Sequence, residues 1–177
     1  MLNFYHITCV THNSRVSERM RKYGIKRGIP VTLNENDEIN ITKTISSLIK
    51  RNKWIFNAFN ICKDHIHFVV FCEDNKLTSI VQNVKSITSR KYTNKKISGS
   101  LWAQKFNRKM INNDEQLFSA ITYITNNRFK HELPENPVVD LIISQMIFPI
   151  DRIEELFLER EKSMEPTQTM EHFNVKS

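Results

Sequence analysis

The chain has 177 residues, 40% apolar and 25% charged, which is ordinary globular composition with enough length for one domain and its core. No apolar run reaches the ~18 residues of a membrane span, and no charged-then-apolar leader precedes a cleavage site, so the expectation is a cytoplasmic protein with no membrane partner. The formal charge of +7 is uneven: residues 151–177 hold seven acidic and four basic residues, leaving +10 for residues 1–150, and such a surplus suits a polyanion.

In chain order, "LNFYHITCVTHN" is rich in aromatic and β-branched residues and predicts an opening strand. Residues 14–40 show no clean period, but Arg15, Arg19, Arg21, Lys22, Lys26 and Arg27 place six basic residues in thirteen positions. "INITKTISSLIKRNK" spaces Ile41, Ile45, Leu48 and Ile49 as a helix, with Asn40 or Thr42 as its cap. "WIFNAFNIC" and "HIHFVVFC" read as one long bent strand or as a tight hairpin. "LTSIVQNVKSITSRKYTNKK" predicts an amphipathic helix with a basic exit, broken by "SGS". "LWAQKFNRKMI" predicts a further strand. "NNDEQLFSAITYITNNRFKHEL" predicts a helix opened by Asn113 and Gln116 in capping-box spacing. "PVVDLIISQMIF" is apolar enough to pack on the domain, "DRIEELFLEREK" predicts a charged helix, and the last dozen residues read as disordered. The expected organisation is one domain over residues 1–150 and an acidic helix with a tail over 151–177. Cys9, Cys62 and Cys72 are odd in number and lack metal-site spacing, so they are expected to be reduced and structural.

Residues 64–70, "DHIHFVV", carry the chemistry of interest. Alternation puts His65 and His67 on one strand face and Ile66, Phe68 and Val70 on the other. Two such imidazoles can share a divalent ion, yet His-x-His arises by chance, and periodicity alone favours an ordinary strand. In the later helix, Tyr123 and Asn127 are four residues apart and flank the Leu117, Ile121, Ile124 stripe. On the helix alone they read equally as a packing residue and a helix end.

The order of motifs changes the weighting. "FYHITCVTHN", "DHIHFVV", "VQNVKSITSRKY", "LWAQKFNRKMI" and "LFSAITYITNN" together resemble the single-tyrosine HUH transposases, and among them the REP-associated tyrosine transposases, over roughly residues 3–132. The resemblance implies an α+β fold with a ferredoxin-like HUH core, a mainly antiparallel sheet with helices packed on it. It implies Tyr123 as nucleophile and His65, His67 and Asn127 as ligands of a divalent metal, Mg²⁺ or Mn²⁺. It implies cleavage and rejoining of single-stranded DNA next to a hairpin through a 5′-phosphotyrosine, by a monomer or a homodimer. The family often follows its ligand with proline; here Arg128 follows Asn127.

The residue types suit that chemistry. A phenol ionises near pH 10, so it needs help at neutral pH, and a metal ion can supply it while polarising the phosphate. Two imidazoles and an amide oxygen make a neutral site, so weak occupancy is expected before DNA arrives. Lys85, Arg90, Lys91, Lys95, Lys96, Lys105, Arg108 and Lys109 are candidate phosphate contacts. Trp102 is expected in the core, and Tyr92 is a candidate for stacking on a base. Asp64 reads as an exposed turn carboxylate, because sequence neighbours in a strand face opposite ways. His6 and His12 stand in no fixed relation to the pair and take structural or DNA-contact roles. A phosphoesterase with two His-x-Thr motifs fits poorly, since "HIT" at residues 6–8 has no second copy, and Val69 interrupts any His-x-His-x-His pattern. A hairpin-binding protein of the same fold without cleavage is the alternative function.

Overall fold

The computed structural model describes residues 1–16, 18–92 and 100–164. Strand β1 (Leu2–Val10) leads through a short helix α1 (Glu18–Lys22) into helix α2 (Glu35–Asn52). Strands β2 (Ile55–Cys62) and β3 (His65–Glu73) form a hairpin about Lys63 and Asp64, which decides between the two readings of that region. Helix α3 (Asp74–Lys91) and strand β4 (Asn107–Ile111) follow. The sheet order β2-β3-β1-β4, antiparallel throughout, with α2 joining β1 to β2 and α3 joining β3 to β4, is the ferredoxin-like βαββαβ arrangement. Helices α4 (Asp114–Thr125), α5 (Asn127–Lys130), α6 (Pro137–Met146) and α7 (Ile153–Met164) complete the described chain. Among the described residues no helix is long and apolar enough to cross a membrane.

Several boundaries differ from the sequence reading. Helix α2 starts at Glu35, because Asn34 accepts a hydrogen bond from the Asp37 amide while the Asp37 carboxylate accepts from the Asn34 amide. That capping box lies five residues before the apolar period becomes visible. Strand β4 covers only the last five residues of "LWAQKFNRKMI"; Trp102 instead bridges Thr11 and is buried, its Nε1 donating to Thr88 Oγ1 at 2.7 Å. The disorder expected for the last dozen residues falls outside the described residues.

The sheet has two differently furnished faces. On one, Tyr5, Ile7 and Cys9 of β1 and Ile66, Phe68 and Val70 of β3 pack against Ile41, Ile45 and Ile49 of α2 and Leu77, Val81 and Val84 of α3. On the other, Phe4, Val69, Phe71 and Ile111 meet Leu117, Ile121 and Ile124 of α4 and Ile153 and Leu156 of α7. The acidic helix α7 is thus held to the sheet by its apolar stripe. Cys9, Cys62 and Cys72 are free and buried, and burial pushes their thiols up to about 12, 11 and 12.

Strand β2 carries a bulge between Phe56 and Ala58, with Asn57 as the extra residue. A bulge breaks the two-residue alternation. Phe56, Phe59 and Ile61 can therefore all enter the first core, while Ala58 enters the second. Asn60, opposite His67, then reaches α4: its Nδ2 donates to the carbonyls of Ile124 at 2.8 Å and Thr125 at 3.2 Å in the last turn of the helix.

Candidate active site

The face covered by α4 and α7 is apolar at one end and polar at the other. Alternation that places Phe4 on this face also places His6 and Thr8 there, and Val69 and Phe71 bring His67 and His65. Thr8 pairs directly with His67 across the strands, and His6 pairs with Val69, one step diagonal to His67. His67 Nδ1 lies 3.0 Å from Thr8 Oγ1 and 3.1 Å from His6 Nε2. With Nδ1 so engaged, the lone pair available for a further partner is on Nε2. The reading of His6 as unrelated to the pair is corrected: strand register, invisible in a single segment, brings it into contact.

The reading of Asp64 is also corrected. Its Oδ1 accepts from His65 Nδ1 at 2.5 Å, and its Oδ2 lies 3.4 Å from Arg15 Nη2. Asp64 sits in the turn and not in the strand, so alternation does not govern its direction. The carboxylate fixes the tautomer of His65, leaving the Nε2 lone pair to face inward. The hydrogen bond from His65 is the main cause that holds the Asp64 carboxyl below its ordinary range, with the charges of His65, Arg15 and His131 adding to it against the opposing effect of burial.

Asn127 arrives from the opposite side. The single helix expected through residues 113–133 is interrupted: α4 ends at Thr125, Asn126 caps it, and α5 restarts at Asn127. Asn127 does not flank the buried face but is wholly buried, at 0% exposure. Its Nδ2 donates to His65 Nε2 at 2.9 Å and to Cys62 Sγ at 3.3 Å, while its Oδ1 is buried with no hydrogen-bond partner. Arg128, where the resembled family often has proline, anchors this joint. It donates to Glu38 Oε2 of α2 at 2.7 Å, to the Ile61 carbonyl at 3.1 Å, and to the Pro134 carbonyl at 2.6 and 3.0 Å. Glu38 and Arg128 are both largely buried, so each neutralises a charge the other could not carry alone.

Tyr123 lies over this cluster at 38% exposure, its ring centroid 5.5 Å from that of His67 and 5.9 Å from that of His6. Lys130 Nζ stands 4.5 Å above the Tyr123 ring, and the His131 ring lies 5.0 Å from that of His65. Lys130 follows Tyr123 by seven residues, a spacing that returns to the same helix face and could have drawn attention to it. A groove lined by His6, Lys109, Gln116, Ser119, Ala120 and Tyr123 opens beside the phenol.

The electrostatics favour neutral imidazole. Burial, then the neighbouring His65, His6 and His131, lowers His67 to about 3. Burial and Lys109 lower His6 as well. His67 therefore keeps both lone-pair capacity and neutrality at physiological pH. Among the described residues no group of three or more His, Cys, Asp and Glu side chains converges to hold a metal ion. The donors that do converge are two imidazoles and a carboxamide.

Comparison with known proteins gives this constellation a context. A family model described as Transposase IS200 like matches residues 26–127, more than half of the chain and ending on Asn127. The chain belongs to that family. This IS200-like transposase is similar in fold to a REP-associated tyrosine transposase solved bound to a REP hairpin, at 17% identity and a TM-score of 0.51, with 73% of this chain and 68% of that one covered. A Deinococcus radiodurans R1 protein described as a transposase aligns at 14% identity and a TM-score of 0.42, over 72% of this chain and 92% of that one. No curated protein matches. Family membership makes the chain a DNA transposase in its broad function.

The expected phosphate contacts of the transposase are divided between the two sides of the sheet. Lys109 pairs with His6 and lines the groove beside Tyr123. Arg108, its neighbour, pairs with Ile7 and lies 3.6 Å from Asp74. Lys85 donates to the Gln104 carbonyl at 2.7 Å, tying α3 to the segment before β4, and Lys105 in that segment is exposed. Arg90 and Lys91 end α3 on the opposite layer, where they share a groove with Arg51. Lys95 and Lys96 lie outside the described residues.

Proposed function

We propose that this transposase is an HUH-type transesterase of single-stranded DNA, with Tyr123 as nucleophile and His65, His67 and Asn127 as ligands of Mg²⁺ or Mn²⁺. The observation that carries the reading is the buried, unpartnered Oδ1 of Asn127, on an amide whose nitrogen sits 2.9 Å from His65 Nε2. An unpaired buried oxygen is costly, and a cation is a partner that can remove the cost once the oxygen faces it. A half turn of the amide exchanges its nitrogen and oxygen, which would turn the oxygen toward the imidazoles. The donor set fits Mn²⁺, and fits Mg²⁺ where phosphate oxygens complete the shell. When bound, such an ion supplies Lewis-acid polarisation of the scissile phosphate.

The chain's own residues account for the remaining steps. The Tyr123 oxygen attacks phosphorus, the bond from phosphorus to the 3′-oxygen breaks, the phenol loses its proton and the departing 3′-oxygen gains one. The product is a 5′-phosphotyrosine and a free 3′-hydroxyl, and attack by a 3′-hydroxyl reverses the step, so rejoining needs no added energy source. Lys130 over the ring favours negative charge on the phenol oxygen and the phosphate. Asp64 holds His65, and Thr8 with His6 holds His67, so neither imidazole must reorient when DNA binds. We take hairpin DNA as the partner on likeness to the hairpin-bound relative.

The test is incubation with hairpin DNA carrying single-stranded flanks and Mn²⁺ or Mg²⁺, followed by a denaturing gel for a protein-linked 5′ end. The expected result is an adduct that disappears in Tyr123→Phe while DNA binding persists. An adduct that survives Tyr123→Phe would sink the nucleophile assignment. Binding without any adduct in the folded parent protein would leave the chain a hairpin binder.

A further inference from the structure

Apart from Arg15, which pairs with Asp64, the six basic residues from Arg15 to Arg27 belong to none of the roles above. Their segment is the loop from Ser14 to Pro30, and its neck is carefully fastened. Thr11 Oγ1 donates to the Val31 carbonyl at 2.6 Å, the Val31 amide to the His12 carbonyl at 3.0 Å, and Asn13 Nδ2 to the Ile29 carbonyl at 3.3 Å. Gly28 packs so closely on Asn13 that a Cβ there would fall 2.4 Å from Nδ2. Both sides of the neck are bonded to the turn that precedes His65: the Thr11 amide to the Asp64 carbonyl at 2.8 Å, and the Leu33 amide to the Lys63 carbonyl at 2.7 Å. The segment closed by this neck carries helix α1 and is tied within itself as well, Arg27 Nη1 donating to the Ser14 carbonyl at 3.3 Å; surface segments held in this way often carry function.

The tip is unlike the neck. Arg15, Arg21, Lys22, Lys26 and Arg27 are exposed, and Glu18 is the sole acid between residues 14 and 30. Among these cations Tyr23 is 65%, Ile25 50% and Ile29 90% exposed. Lys22 Nζ lies 5.6 Å from the Tyr23 ring, and cations interleaved with a ring and aliphatic side chains suit phosphates and unpaired bases. Arg15 reaches back to Asp64, which holds His65, so the loop borders the proposed metal ligands on the side away from Lys109.

We propose that the 14–30 loop is a binding arm for single-stranded DNA, receiving the unpaired nucleotides that flank the hairpin as they leave the Asp64 side of the site. The proposal rests on the DNA-processing reading above but not on its cleavage chemistry. It is therefore tested with the Tyr123→Phe protein in a metal chelator, by fluorescence anisotropy against a labelled DNA hairpin with and without a single-stranded extension. The extension is expected to tighten binding. The quadruple variant R21Q/K22Q/K26Q/R27Q, confined to exposed tip residues, is expected to lose roughly tenfold or more of affinity for the extended DNA, with the salt slope falling by about 0.7 for each phosphate left without its cation, while the bare hairpin binds as before. Equal affinity of variant and parent for the extended DNA would overturn the proposal, as would an extension that adds nothing to the parent or a preference for an RNA extension over DNA. Failure of the cleavage assay above, with arm-dependent binding intact, would count only against the nucleophile.

Discussion

The two faces of the sheet are built from alternate residues of the same strands, yet they end differently. The face under α2 and α3 is apolar from Tyr5 to Cys9 on β1 and from Cys72 back to Ile66 on β3. The face under α4 and α7 begins in the same way, with Phe4 and Phe71, and then gives way to His6, Thr8, His67 and His65. The first face is free to be filled by whatever hydrocarbon fits. The second must satisfy buried polar atoms, and it does so in part with Asp64, Thr8, His6 and the Asn60 amide nitrogen, while Asn60 Oδ1 and Asn127 Oδ1 are left unpaired. Both faces contribute an apolar core, and on the second a local deficit of hydrogen bonds marks the place where chemistry is proposed.

Substitutions can break or sharpen that division. The largest effect is expected from Tyr123→Phe, a loss of adduct formation on the order of 10⁴-fold or more with an unchanged melting temperature, because the ring edge is partly exposed. Phe68→Ala on the opposite face, where Phe68 stacks on Phe56 at 4.7 Å, should cost about 3–5 kcal/mol in chemical denaturation while adduct formation below the melting point stays within about twofold of the parent. A comparable loss of activity in that variant would mean the faces are not separable. Arg128→Ala should cross the division, losing about 3–5 kcal/mol because Glu38 is left buried and unpaired, and losing activity because the neighbouring Asn127 is no longer anchored. Asp64→Asn should weaken Mn²⁺ binding in the presence of DNA by about 10–100-fold, read by titration calorimetry, and should remove the stability that the depressed carboxyl contributes at neutral pH.

The smallest effect is a pH dependence of stability. His67 titrates at about 3 in the fold, against 6.5 ordinarily. Between those values the unfolded chain holds the extra proton, so stability rises with pH from about 3 to about 6.5 and gains nothing from this group above that. His6, lowered in the same sense, adds to the slope. Asp64, with a depressed carboxyl, contributes stability that is lost only as the pH falls through its folded value, below the ordinary carboxylate range. Calorimetric melting between pH 4 and 8 should show a slope that His67→Gln reduces; an equal slope in that variant would remove His67 as its source.

What could be read from the sequence was what local periodicity encodes. The strands announced themselves by β-branched and aromatic alternation, and the helix from residue 114 by its cap and its stripe. His65, His67, Tyr123 and Asn127 were nameable because they sit in short motifs whose order is informative. The supporting residues were not nameable. Thr8 and His6 meet His67 through cross-strand register, which depends on where the hairpin turns. Asp64 was misjudged because strand alternation stops at the turn, and Asn60 reaches α4 only because Asn57 bulges out. The basic residues were countable, but which side of the sheet each serves depends on topology.

The ion pair between Arg128 and Glu38 spans 90 residues of chain. Loop closure over such a distance is slow and is repaid only when the partner helix is already docked. Asn127, one residue away, therefore depends on a long-range pair for its position, whereas His65 and His67 lie on one strand of a local hairpin. Under the proposed function, a chain that stops short of residue 128 keeps Tyr123 and both histidines but loses the ion pair that sets the amide beside them.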